Sequence, residues 1–390
     1  MKRILCLLLC AAMLISGCGK SGEITVTAGT TETAEAQPAA ETAENTGETQ
    51  TPAGTQESAE EQSVSPDESE TGEPETEAVP EVSDGRDRPS SAGHLQVLEG
   101  RLCGEDGTPV MLRGASSYGI SMSERFINQK LFSELSGEQG FNVFRLAMYT
   151  YGVGVVGYCT GGDQKRLKQD VIDGVEFAKN ADMYAIIDWH ILEDGDPNRY
   201  IEEAKAFFDE MSELFSDYDN VMYELCNEPN GVEWSAIKSY AEVIIPIIRA
   251  NDPDSVIIVG TPNWSQRLDA AAADPLEYDN ILYTLHFYSA THKEELRSIV
   301  RSAAEAGLPI FSTEFGVTSA SGGFPIDTEE ADVWIELLEE LGISYCMWSF
   351  SNVAEPCSAV QYACKKSYGF TEEDYSEAGL WLLATVESHK

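Results

Sequence analysis

Between residues 143 and 188 three stretches stand in a row: Val143-Phe144-Arg145-Leu146-Ala147, then Val171-Ile172-Asp173-Gly174-Val175-Glu176-Phe177-Ala178, then Tyr184-Ala185-Ile186-Ile187-Asp188. The outer two are short and almost wholly apolar, as in a strand buried on both faces; the middle one repeats its apolar residues at helical spacing. Working outward, the same alternation recurs. Further strands are expected at Val110–Arg113, Val221–Leu225, Val256–Val259, Ile281–Leu285, Ile310–Thr313 and Ser344–Trp348. A helix is expected where Ala204, Phe207, Phe208, Met211, Leu214 and Phe215 share one face. Eight strand–helix alternations with apolar strands imply an α/β fold, a parallel sheet covered by helices. A closed (β/α)8 TIM barrel is the expectation, and a doubly wound open sheet the alternative. Leu95 to Pro109, turning at Gly100 and at Asp106-Gly107, reads as a hairpin over the barrel floor. Asn251-Asp252-Pro253-Asp254 reads as a loop between helix and strand, without a function.

The rest of the chain is organised differently. Lys2 and Arg3 precede an apolar run, Ile4 to Ile15, too short for a spanning helix of about 20 residues. Ile15-Ser16-Gly17-Cys18 resembles the bacterial lipoprotein box, so residues 1–17 are expected to be an export signal and Cys18 a lipid-modified terminus. Residues 18–90 hold no aromatic and are dominated by Glu, Thr, Ser, Ala, Gly and Pro. Such a segment buries too little apolar surface to offset its ordering entropy, so a disordered tether is expected there and the globular domain over 91–390. Residues 19–90 carry 18 acids and 3 bases, −15 of the chain's formal −42. That acidity argues against nucleic acid as a partner and against docking on an anionic membrane through a basic patch. Contact with a membrane is expected only through lipid on Cys18, on the outer face of the cell, and the folded part is expected to be a monomer.

In a barrel, chemistry gathers at the carboxyl ends of the strands. Arg145 and Tyr149 fall there on the second strand, and Asp188-Trp189-His190 end the third. Asn227-Glu228-Pro229 end the fourth, His286-Phe287-Tyr288 the sixth, Glu314-Phe315-Gly316 the seventh and Trp348 the eighth. Two glutamates on different strand ends suit glycoside hydrolysis, in which one carboxylic acid protonates the leaving oxygen and one carboxylate attacks the anomeric carbon. Pro229 holds Glu228 out of helical geometry. Arg145 and the Tyr288 hydroxyl are expected to keep Glu314 ionised, and that charge to keep Glu228 protonated. Asp188 reads as a structural hydrogen-bonding partner.

These residues resemble glycoside hydrolase family 5, in its bacterial endo-β-1,4-glucanase branch, from about Leu95 to at least Ala359. The landmarks are Leu112-Arg113-Gly114, Arg145 to Thr150, Ile187 to Leu192, Tyr223 to Gly231, Gly260 to Gln266, Leu285 to Tyr288, Thr291-His292 and Thr313 to Gly316. The resemblance implies Glu228 as acid/base, Glu314 as nucleophile and Asn227 on the sugar 2-hydroxyl, with His190, His286 and Tyr288 around them. It implies Tyr149, Trp264, Trp348 and Glu355 as sugar contacts, and neither a metal nor an organic cofactor. The implied substrate is a β-1,4-linked glucan; chitosan, mannan and xylan are alternatives for the same machinery. Three positions depart from the family: Tyr118 before Gly119 where it has His, Met122 near its stacking Trp, and Val353 where it has Lys.

Other readings are weaker. Gly152-Val153-Gly154-Val155-Val156-Gly157 matches the dinucleotide fingerprint, but the residues after it do not open a helix. No Cys or His pair has zinc-ligand spacing, and neither H-E-x-x-H nor G-x-S-x-G occurs. Cys103, Cys159, Cys226, Cys346, Cys357 and Cys364 are left unassigned. A lipoprotein that binds glycan without cleaving it is the rival of another class; it has no use for paired glutamates.

Overall fold

The computed structural model describes residues 87–152 and 156–389. The export signal, Cys18, the tether to residue 86 and residues 153–155 lie outside the described residues. Contacts begin inside the stretch read as tether: Arg88 Nη1 donates to Ser136 Oγ at 2.5 Å, and Ser90 Oγ to Asp182 at 2.6 Å.

The apolar runs become strands, and the hairpin is there: β1 (Gln96–Leu98) lies antiparallel to β2 (Arg101–Cys103). Then come β3 (Arg113–Ser117), β4 (Val143–Tyr149), β5 (Tyr184–His190), β6 (Val221–Glu224), β7 (Val256–Val259), β8 (Ile281–Tyr288), β9 (Ile310–Gly316) and β10 (Tyr345–Phe350), with helices between them. The order β10-β3-β4-β5-β6-β7-β8-β9 closes on itself with every neighbouring pair parallel, so the sheet is a barrel and not an open one. Alternate side chains point inward. Val143, Ile186, Met222, Ile258 and Leu282 fill the lower interior against Leu95 and Leu102, so the hairpin does seal the floor.

The first barrel strand lies three residues later than expected, at Arg113-Gly114-Ala115-Ser116-Ser117. A Cβ on Gly114 would overlap the Val143 carbonyl. Small residues are required there, and they carry no apolar signal. Several strands also run past their apolar stretch. β5 stays paired through Trp189 and His190, and β8 pairs Phe287 and Tyr288 with Phe315 and Gly316 of β9. The candidate side chains therefore stand on the ladder itself.

One irregularity matters for the site. β8 and β9 pair Thr284 with Phe311 and then His286 with Glu314, so β9 holds one extra residue. A bulge of this kind re-aims side chains. Strict alternation would turn either Thr313 or Glu314 outward; here both reach inward groups, Thr313 touching Glu224 and Glu314 touching Arg145.

Candidate active site

The floor of the cleft is the Arg145 guanidinium, fully buried, with three carboxylates around it. Nε and Nη2 form a fork with Glu224 at 2.7 and 3.1 Å, Nη2 lies 3.0 Å from Asp188, and Nη1 donates to Glu314 at 3.1 Å. Nη2 also donates to Asn227 Oδ1 at 2.7 Å. Burial works against the charge on Arg145, but Asp188, Glu224 and Glu314 together hold its pKa well above the ordinary value. Asp188 is pushed up to about 7 by burial, against the pull of Arg145. Its Oδ2 accepts from His190 Nδ1 at 2.6 Å, so it serves as the expected structural partner. His190 is driven down to about 3, first by burial and then by Arg145, so it is neutral. Asn227 is thereby oriented: Oδ1 sits on Arg145, and Nδ2 donates to the Ile191 carbonyl at 2.9 Å and lies 3.3 Å from His190 Nε2.

Above this floor stand Glu314 and Glu228. Tyr288 Oη donates to Glu314 Oε1 at 2.7 Å, completing with Arg145 the two contacts expected of Glu314. A Cβ on Gly316 would come within 2.5 Å of the Tyr288 ring, so glycine is what lets that ring lie over the strand end. Glu228 is pushed up to about 8, so it holds its proton at neutral pH. Burial is the first cause, and the charges of Asp188 and Glu224 add to it, against Arg145. Glu228 Oε1 lies 2.9 Å from His286 Nδ1, and burial drives His286 down to about 4. An oxygen of Glu228, an oxygen of Glu314 and a ring nitrogen of His286 all lie within 4.8 Å of one another. Spacing along the chain could not reveal this possible ligand set, yet each member already has a protein partner in Arg145, Tyr288 or the Glu228–His286 contact.

The walls are aromatic. On one side the Trp348 ring stacks on His190 at 5.2 Å, with Tyr149 4.2 Å from His190 and Tyr118 5.4 Å from Trp348. Tyr118 Oη donates to Glu355 Oε1 at 3.2 Å, so the tyrosine that departs from the family pattern orients the very carboxylate expected to meet sugar. Met122, the second departure, packs over Gly119 beside the Tyr149 ring, where no Cβ would fit. On the other side a cavity of about 430 Å³ is lined by Leu192, Glu228, Trp264, Gln266, His286 and Tyr288. Trp264 is 42% exposed and held by local strain: Asn263, Trp264 and Ser265 all take positive φ near 57°. Strain of this kind persists where its surroundings enforce it. Trp264 N donates to the Pro229 carbonyl at 3.1 Å and Ser265 Oγ to the Asn227 carbonyl at 2.7 Å, so the turn is tied to the strand end that carries Glu228.

A sequence profile described as Cellulase (glycosyl hydrolase family 5) matches residues 103–354. The chain belongs to that family. It is 42% identical over 302 residues to Endoglucanase A of Butyrivibrio fibrisolvens, covering 76% of this chain and 70% of that one. It is 40% identical over 299 residues to an endoglucanase of Clostridium saccharobutylicum, covering 76% of this chain and 66% of the relative. Among solved structures, the catalytic domain of Thermobifida fusca endoglucanase Cel5A in complex with cellotetraose superposes with a TM-score of 0.73 at 34% identity, over 77% of this chain and 99% of that one.

The fold thus brings Arg145, Asn227, Glu228, His190, His286, Tyr288 and Glu314 into one cluster, with Tyr149, Trp348, Trp264 and Glu355 around it. Three further contributors carry no signal of their own in the sequence: Glu224, Thr313 and His292, whose Nδ1 accepts from Tyr288 N at 2.9 Å. The available signal was a buried-strand arginine, which demands carboxylates at its own level. Cys357 and Cys364 are thiols turned to different acids, Glu355 and Asp374. Among the described residues after the glycine-rich motif, the first helix starts at Gln164, capped by Asp163.

The exposed Trp264 face yields a prediction. About 60 Å² of ring covered by a sugar contributes about 1.5 kcal/mol at about 25 cal/mol per Å². Trp264→Ala should raise KM for cellopentaose about ten-fold, more than it lowers kcat, as initial rates would report.

Proposed function

We propose that this family 5 glycoside hydrolase is a retaining endo-β-1,4-glucanase that cleaves internal bonds of cellulose or mixed-linkage β-glucan by double displacement. The observation that carries the reading is the Glu228–Glu314 pair, within 4.8 Å and in opposite environments, one protonated at neutral pH and one held by Arg145 and Tyr288. In the first step a Glu314 oxygen bonds to the anomeric carbon, the glycosidic C–O bond breaks, and Glu228 gives its proton to the departing oxygen. In the second, Glu228 takes a proton from water, the water oxygen bonds to the anomeric carbon, and Glu314 leaves as carboxylate. Asn227 Nδ2, only loosely placed at 3.3 Å from His190, is the group to meet the 2-hydroxyl. Relatives named endoglucanase support attack inside the chain.

Sequence supports a site of action outside the cell, with lipid on Cys18 as anchor and residues 19 to about 86 as spacer. No helix among the described residues is long and apolar enough to cross a membrane.

The deciding experiment follows reducing ends and viscosity together on soluble cellulose derivatives, with chitosan, mannan and xylan in parallel. Endo action on glucan lowers viscosity well ahead of reducing-end release, and proton NMR of fresh product shows the β-anomer first. Release from none of the four polymers would leave the glycan-binding rival standing; an α-anomer would exclude retention.

A further inference from the structure

Glu224 and Thr313 have no part in the two steps above, yet the hydrogens they share run straight to the acid. Glu224 takes the Arg145 fork on both oxygens, at 2.7 and 3.1 Å, so it is a carboxylate and can only accept. Thr313 Oγ1, 2.8 Å from Glu224 Oε1, must then give its single hydrogen to Glu224. Thr284 Oγ1 also lies against Thr313 Oγ1 and donates to it. One acceptor position remains on that hydroxyl, and His286 Nε2 lies 3.0 Å away. It can fill the position only as N–H. The buried His286 is neutral and carries one hydrogen, so its Nδ1 is bare, 2.9 Å from Glu228 Oε1.

We propose that Glu224 and Thr313 are positioning residues that keep the hydrogen of His286 on Nε2, so that its bare Nδ1 accepts from Glu228 and holds it as the protonated acid. The proposal rests on the reading of Glu228 as the acid/base. When Glu228 gives its proton to the glycosidic oxygen, its carboxylate faces a lone pair. That repulsion favours taking a proton back from the attacking water, which is the second step. Without the Thr313 hydroxyl the hydrogen of His286 is free to move to Nδ1 and donate to the Glu228 carboxylate, stabilising the ionised form. The other groups facing Glu228 are Arg145 and Tyr149 on β4, Asp188 on β5, Glu224 on β6, Tyr288 on β8 and Glu314 on β9, and His190 faces His286. All of them remain when only the hydroxyl is removed.

The test compares pH profiles of kcat/KM on a cello-oligosaccharide for the parent, Thr313→Val and Thr313→Ser. A hydrogen bond gained by the carboxylate favours ionisation, so the basic limb of Thr313→Val should move to lower pH by about one unit. Thr313→Ser should restore it. A lower rate with an unmoved basic limb, or no recovery in Thr313→Ser, overturns the proposal. Nitrogen-15 NMR of the histidine-labelled parent reads the same point without any variant: His286 should show a protonated Nε2 and a bare Nδ1, and the opposite tautomer overturns the relay. That spectrum decides the matter even if the parent proves inactive on β-glucans, which would instead overturn the proposed function.

Discussion

Glu314→Ala should lower kcat/KM on soluble cellulose derivatives by roughly 10⁴-fold or more, the scale seen when one member of a covalent machinery is removed. Binding should survive better than turnover, because Trp264, Trp348, Tyr149 and Glu355, the expected sugar contacts, lie elsewhere around the cleft. The fold should survive as well: Arg145 keeps Asp188 and Glu224 as buried counter-charges at 3.0 and 2.7 Å. A loss of this size proves only that Glu314 matters, so the informative measurement adds azide. With an activated aryl β-cellobioside the leaving group departs as phenolate and needs little help from Glu228. Azide can then enter the space left by the glutamate and bond to the anomeric carbon as the aryl C–O bond breaks. It approaches from the face Glu314 occupied, so the product should be the α-glycosyl azide. A β-azide would mean that Glu314 does not stand behind the anomeric carbon. A variant that keeps more than about a tenth of parent activity would remove Glu314 from the nucleophile's role altogether.

The barrel is legible in the sequence wherever a strand is buried on both faces by aliphatic side chains, as in Val256–Val259, whose ends coincide with the expected ones. It is not legible at β3, where close strand approach at Gly114 demands small residues. The site is legible for a related reason. Polar residues at the carboxyl end of an apolar run have little structural purpose of their own, so Glu228, Glu314, His190 and Tyr288 stand out. Glu224 does not. It ends its strand inside the barrel as Arg145's partner, and its contribution lies in a register that only closure creates. Thr313 is hidden for another reason: only the extra residue in β9 turns it inward together with Glu314. The source of the Glu228 shift is likewise a property of depth, since burial outranks every neighbouring charge.

The largest effect on stability is expected from Arg145→Met. Methionine approximates the volume but leaves Asp188, Glu224 and Glu314 without their cation, two of them with no solvent exposure. Breaking a buried ion cluster by removing one partner costs roughly 3–5 kcal/mol, because charge is left without compensation. The direction with pH follows from which state binds protons. Asp188 is already raised from 3.8 to about 7 with Arg145 present, and the arginine is what opposes the rise. Without it the folded-state values of Asp188 and Glu224, both already raised by burial, climb further above their unfolded values. The folded variant therefore binds more protons than the unfolded chain through the neutral range, and its stability falls as pH rises. The variant should unfold closest to the parent temperature near pH 4, where Asp188 and Glu224 are largely protonated in both folded proteins, and furthest below it near pH 8, where the parent ionises them and the variant cannot. Calorimetry or circular dichroism across pH 4–8 would measure the gap. A gap of constant size would mean that the missing arginine acts through packing alone. A widening gap with rising pH would identify Arg145 as the charge that makes it possible to bury Asp188 and Glu224 beneath the Glu228–Glu314 pair.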